Sequence, residues 1–243
     1  MELRETEDQK IERERMKEAA GKAAADALVK SGIKLGLGTG STAIHVIRRV
    51  GELLAAGKIS GIRAFPTSFQ SGMECERLGI PVYALNSREL GGSLDLCIDG
   101  ADEIDPENRL VKGGGGALLV EKLAAYASAS CAIVADESKI APHLGTGFPL
   151  PVEVIPEARL SASRALEKLG ASVVLREALR KAGPVITEHG NLLLDVRFRE
   201  PVDPVFMETE LNKIAGVVEN GFFTRIRPVV YIARGDGRIE VRE

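Results

Sequence analysis

Tryptophan is absent from the 243-residue chain, and aromatic residues make up only 4% of it, so stacking platforms for bases are scarce. An excess of either charge is missing too. The 32 Lys and Arg stand against 35 Asp and Glu, a net charge of −3, and no global basic field exists to hold nucleic acid. No apolar run is long enough to span a bilayer, and the opening residues show no signal-peptide pattern. Only three cysteines occur (Cys75, Cys97 and Cys131), without a CxxC pair, and the last two lie inside apolar runs. Buried, reduced thiols in a cytoplasmic protein are the expectation. His45, His143 and His189 lack metal-ligand spacing. The opening segment ELRETEDQKIERERMKE is too acidic for a transit peptide and reads as a solvated helix start or a frayed end.

What is present is a 44% apolar complement, enough for a real core in one large or two modest domains. In the first half, short apolar runs (33–37, 62–65, 82–85, 94–98, 131–135) alternate with helical patterns (42–55, 68–78, 117–128). That alternation predicts an α/β fold, a mostly parallel Rossmann-like sheet flanked by helices. Prolines 142, 149, 151 and 156 then suggest a domain crossing. Beyond them, helices at 159–169 and 204–214, strands at 172–175 and 216–223, and a hairpin-like pair around 188–191 predict a second, smaller α+β domain. The expected division is a main domain over 1–146, a small domain over 147–226, and a terminal hairpin, 227–243, turning at Gly235-Asp236-Gly237 and rejoining the first sheet.

Ligands of such sheets bind beyond the carboxyl ends of the strands, where Gly36–Thr42, Pro66–Gln70 and Asp99–Asp105 begin. GLGTGST (36–42) follows a strand and opens a helix, so unpaired amides and the helix dipole favour an anion there. Thr39, Ser41 and Thr42 add hydroxyls, and Gly40 permits close approach. No Lys precedes Ser-Thr, as a Walker loop requires, and the third glycine of a dinucleotide fingerprint would fall at Ser41. A monophosphate ester fits better. The alternative is a tight turn capped by Ser41 or Thr42.

DGADEIDPENRLVKGGGGALLVEK (99–122) packs Asp99, Asp102, Glu103 and Asp105 into one short loop, then places Lys112 before four consecutive glycines and Glu121 on the apolar segment that follows. Asp99 and Asp102, separated by Gly100 and Ala101, can face one pocket and accept from substrate hydroxyls. A divalent-metal site and a solvated acidic turn are the alternatives. Lys112 precedes Gly113, Gly114 and Gly115, whose amides can line a pocket. Glu121 lies among Ala117, Leu118, Leu119, Val120 and Leu123; desolvation would favour its neutral form while Lys112 opposed it, conditions for a base that removes a proton next to a carbonyl. Alternatively, Glu121 and Lys122 form an exposed polar strip. Lys139, in ADESK after another strand, could reach the same rim.

In order and spacing, GLGTGST, PTSFQS, DGADEID, KGGGGALLVEK, ADESK and FPLPVEVIP resemble the type A ribose-5-phosphate isomerase family. The resemblance implies interconversion of D-ribose 5-phosphate and D-ribulose 5-phosphate through an enediol, without metal or cofactor. It implies Glu121 as the proton acceptor, Asp99 to Asp102 as the loop on the substrate hydroxyls, and Lys112 as the group that stabilises developing negative charge. Residues 39–42 and Lys139 would be further substrate contacts. It implies a homodimer or homotetramer in the cytoplasm, with a sugar phosphate as its small-molecule partner and no nucleic-acid or membrane partner. The family often has Arg where this chain has Val120, and a first-helix lysine for which Lys17 is the nearest candidate. A sugar-phosphate-binding regulator and a CoA-transferase-related protein, the latter for Glu219-Asn220-Gly221, are the rival readings.

Overall fold

The computed structural model describes residues 6–243; residues 1–5, the start of the charged opening segment, lie outside them. In chain order the first elements are α1 (Glu7–Leu28), β1 (Lys34–Leu37), α2 (Ala43–Ala55), β2 (Arg63–Pro66), α3 (Phe69–Arg77) and β3 (Leu94–Asp99). Then come β4 (Glu103–Ile104), β5 (Leu110–Val111), α4 (Leu118–Tyr126), β6 (Ser128–Asp136), β7 (Leu150–Val154), α5 (Arg159–Lys168) and β8 (Ala171–Leu175). The last are β9 (Leu192–Phe198), α6 (Pro204–Leu211), β10 (Val217–Asn220), β11 (Phe222–Phe223), β12 (Val229–Ala233) and β13 (Ile239–Arg242). The fold is α/β and divides into two compact units. One comprises the chain up to Gly100, Ala127–Lys139 and Pro228–Glu243; the other, Ala101–Tyr126 and Ile140–Arg227. This division runs differently from a boundary at residue 147, because residues 101–126 and 140–146 group with the second unit.

The first unit is built on a six-stranded sheet in the order β13-β12-β6-β3-β1-β2, parallel except for the β12–β13 hairpin. Its core combines strand residues Leu35, Leu37, Ile98 and Val134 with Val46, Ile47 and Val50 of α2. The opening segment is α1, started by a capping box between Thr6 and Gln9. It buries Ala20, Gly21, Ala24 and Ala25. A Cβ at Gly21 would lie 2.8 Å from the His45 Cβ, so the glycine sets how closely α1 approaches α2. The strand expected at 82–85 is instead a single parallel bridge, Ala64↔Val82. Pro81 lacks an amide and Val82 is exposed at the sheet edge, so pairing stops there.

The second unit holds a four-stranded antiparallel sheet, β10-β7-β9-β8, and a small antiparallel sheet, β11-β5-β4. Prolines in 143–156 do not mark a crossing. β7 runs through that segment, buried throughout, with Pro151 inside it, and the chain passes between units at Lys139–Ile140. The strand expected over 216–223 divides at Gly221, which carries the chain from one sheet to the other. The Gly221 amide donates to the Pro151 carbonyl, and a Cβ there would meet the Lys112 carbonyl at 2.5 Å. No helix among the described residues is long and apolar enough to cross a membrane.

Candidate active site

In the first unit, β1 and β3 run side by side and end together, Leu37 opposite Ile98. The Gly38 amide donates to the Ile98 carbonyl at 3.0 Å. Asp99, 3% exposed, accepts on Oδ1 from the amides of Thr39 (3.1 Å) and Gly100 (2.7 Å). Its carboxylate therefore stands in the turn and shapes the glycine loop. The Thr39 hydroxyl meets Thr67 Oγ1 and Ser68 Oγ, both at 2.7 Å, and the Gly40 amide donates to Gln70 Oε1 at 2.9 Å. These partners come from PTSFQ, which the sequence marked as a strand-end motif. Thr42 occupies the N-cap position of α2 without a side-chain capping bond, unlike Ser68 on α3, which makes a full capping box. The hydroxyl of Thr42 is thus not spent on its own helix start. Ser41 is exposed, and Lys139 is half-buried on a short turn after β6.

In the second unit, the acidic loop divides by role. Glu103 is buried and accepts from the amides of Gly145, Gly147 and Phe148, at 2.5, 2.8 and 2.6 Å, so it organises that loop. Asp105 accepts from the amides of Glu107 and Arg109 and from the Arg109 Nε, a turn of ordinary Asx chemistry. Asp102 is half-buried, and its Oδ2 accepts from the Gly114 amide at 2.7 Å. Asp102 and the glycine run are thereby brought together.

Lys112 and Glu121 are each 3% exposed, with Nζ 3.4 Å from Oε2. Lys112 directly follows β5 and Glu121 lies in the first turn of α4; the glycines between them let the chain double back. Glu121 and Lys122 are not an exposed strip. Lys122 is 4% exposed and points elsewhere, to Glu219 Oε1 (2.8 Å), the Asn220 carbonyl (2.7 Å) and Glu208 Oε1 (3.4 Å). Burial holds its ammonium below the usual lysine range, and the two glutamates oppose that. Both lysines approach the Phe223 ring, with Lys112 Nζ 5.6 Å and Lys122 Nζ 4.9 Å from its centroid. A pocket of about 240 Å³ opens beside Lys122, Tyr126, Glu208 and Arg225, where the Lys122, Tyr126 and Glu208 side chains hydrogen-bond to the protein itself. Neither this cluster nor the Gln70 contact could be read from spacing, since their partners lie 82 to 98 and 30 residues apart. Lys17 pairs with Glu14 at 2.7 Å on α1, and Val120 is half-buried. Among the described residues, no group of three or more His, Cys, Asp or Glu side chains is placed to hold a metal ion.

Solved structures that match this chain over nearly its whole length include ribose 5-phosphate isomerases. The structure of ribose 5-phosphate isomerase A from Methanocaldococcus jannaschii matches with a TM-score of 0.89 and 39% identity, covering 95% of this chain and 99% of that one. A D-ribose-5-phosphate isomerase in complex with phospho-erythronic acid matches equally well, at 0.89 and 38% identity over 95% and 98% of the two chains. The family described as ribose 5-phosphate isomerase A (phosphoriboisomerase A) matches residues 63–237. Ribose-5-phosphate isomerase A of Treponema denticola is 56% identical over 211 residues, 86% of this chain and 88% of the relative. The chain belongs to the ribose-5-phosphate isomerase A family.

Proposed function

We infer that the protein interconverts D-ribose 5-phosphate and D-ribulose 5-phosphate by proton transfer through an enediol, within the pentose phosphate pathway. Family membership carries the reaction; the buried Lys112–Glu121 pair at 3.4 Å is the observation that supports the assignment of roles. Glu121 takes the proton from C2 of the aldose and returns it to C1, while the O2 hydroxyl gives up its proton and O1 gains one. Lys112 steadies the negative charge that develops on oxygen in the enediol. In a site this dry, a fixed ammonium is worth more than in water and costs no reorganisation at the moment of reaction. Asp102, with its Gly114 partner, and Asp99 accept from the sugar hydroxyls. Gly100, Ala101, Gly113 and Gly115 present backbone to the substrate. Thr39, Gly40, Ser41 and Thr42, with Lys139, receive the phosphate: the uncapped start of α2 supports this, because its amides and dipole favour an anion.

The regulator and CoA-transferase readings are not favoured. Glu219 is spent on Lys122, Asn212 and the Asn220 amide, which is a structural use. We propose a cytoplasmic homodimer or homotetramer, as in the family, to be checked by light scattering of the eluting species.

The direct test is turnover of ribose 5-phosphate by purified, chelator-treated protein. Glu121→Gln is expected to lower kcat by roughly 10²- to 10⁴-fold, the usual worth of a positioned base, with little change in the Michaelis constant. Full activity in that variant would sink the assigned base. Phospho-erythronic acid, bound by a relative of the same fold, should compete with substrate.

A further inference from the structure

Arg176 follows β8 and was marked by no motif. Its Nε donates to both carboxylate oxygens of Asp195 on β9, at 3.1 and 3.0 Å, and one terminal nitrogen pairs with the same carboxylate. The other terminal nitrogen reaches two successive carbonyls of the glycine run, Gly113 at 3.0 Å and Gly114 at 3.1 Å. All four residues belong to the second unit.

A trans peptide points its C=O and N–H in opposite directions, and among the described residues there is no cis peptide bond. Anchoring the Gly113 carbonyl therefore aims the Gly114 N–H the other way, and that N–H donates to Asp102 Oδ2 at 2.7 Å. Anchoring the Gly114 carbonyl aims the Gly115 N–H away from Arg176 by the same rule. The Gly113 carbonyl also accepts from the Gly116 amide at 3.0 Å, in the turn that leads into α4 and Glu121. Side chains cannot substitute for this clamp. Gly113 has φ of +105°, and a Cβ at Gly114 would lie 2.5 Å from Asp102 Oδ1.

We propose that Arg176, oriented by Asp195, is a positioning residue for the isomerisation. It fixes the two glycine peptides so that Asp102, the Gly115 amide and the start of the Glu121 helix are held in register. A guanidinium is required because one planar group must serve a carboxylate bidentately and two carbonyls at once, which a lysine cannot do. This rests on the roles assigned to Asp102 and Glu121 above.

The test measures kcat, KM and amide hydrogen exchange in Arg176→Met, Arg176→Lys and Asp195→Asn. A misplacement near 1 Å costs up to about 100-fold, so kcat should fall roughly 10- to 100-fold in Arg176→Met and Asp195→Asn. Arg176→Lys should recover only part. Exchange should accelerate in the peptide covering Gly113–Leu118 while β9 keeps its protection. Folded Arg176→Met with parental kcat and unchanged exchange at 113–118 would overturn the proposal. If that variant does not fold, Asp195→Asn and Arg176→Lys decide by the same readouts. Parental turnover is the control: an inactive parent would overturn the isomerase reading itself, whereas the exchange result judges the clamp independently of activity.

Discussion

At Gly38 the chain tolerates no side chain at all. A Cβ there would sit 1.9 Å from Asp99 Oδ1 and 2.6 Å from the Asp99 Cα, so backbone as well as carboxylate would have to move. Gly40 differs: its φ is +107° but nothing lies within 4 Å of a Cβ, so its cost is conformational rather than steric. Gly38→Ala is therefore expected to cost about 1–3 kcal/mol through overpacking and to displace Asp99 with it. Gly40→Ala should cost about 1–2 kcal/mol through its left-handed backbone alone. Denaturant midpoints measure the two costs, and KM for ribose 5-phosphate should rise in Gly38→Ala; an unchanged midpoint and KM there would contradict the packing argument. At this scale the sequence was informative but incomplete. The loop at 99–105 announced its carboxylates, yet nothing local separates Asp102, which holds a glycine amide, from Glu103, which holds a loop more than 40 residues away. Arg176 and Asp195 had no local signal, because their purpose lies in backbone carbonyls 62 and 63 residues distant from Arg176.

Elements were legible where periodicity coincided with capping chemistry. β1 and α2 lie within a residue or two of their expected bounds because an apolar run, a glycine turn and an apolar helical face follow in order. α1 was less legible: its buried face is Ala and Gly, which leaves a weak stripe in a heavily charged segment. α4 was placed, but the two faces of its charged pair were not. Its Lys122 side packs into a polar cluster in which the Tyr126 hydroxyl donates to Glu208 Oε1 at 2.5 Å, and Glu208 also accepts from Thr224. Burial first, and the Glu208 carboxylate second, push the Tyr126 hydroxyl well above its ordinary value of 10.0. The folded protein thus keeps this proton at pH values where an unfolded tyrosine loses it. The stability it contributes is full below pH 10.0 and is lost as pH rises beyond it toward the folded value. Lys122 acts with the opposite sign, since its folded value is lowered, and its window lies below 10.5. Tyr126→Phe should accordingly be less stable than the parent near neutrality, by about 1–3 kcal/mol for a buried acceptor left short of a donor, and the gap should narrow above pH 10.0. Melting curves from neutral to strongly alkaline pH test this; a gap that widens with pH would reverse the assignment.

Across the whole molecule the units are interleaved: the chain changes unit after Gly100, Tyr126, Lys139 and Arg227. A left-to-right reading of composition favours contiguous domains, so it gave 1–146 to the first. Periodicity does not report which strands pair: β6 lies between β3, earlier in the chain, and β12, near its C-terminal end. The parallel β12–β6 register, Val229↔Ala132 to Ala233↔Asp136, makes the last strands part of the central sheet. Val230 and Ile232 are fully buried and Tyr231 is 8% exposed. Each such side chain contributes about 1.5–3 kcal/mol on burial. Three together approach the 5–15 kcal/mol or so that holds a whole domain folded. A fragment 1–146 also leaves β6 as an unpaired edge, and it strips Lys122 of Glu208 and Glu219, stranding a buried ammonium. Such a fragment should therefore show no cooperative melt and should bind a hydrophobic dye, whereas residues 6–243 should unfold with a sharp transition. If 1–146 melted cooperatively within a few degrees of the longer chain, β12 and β13 would be accessory to the sheet rather than part of what holds it together.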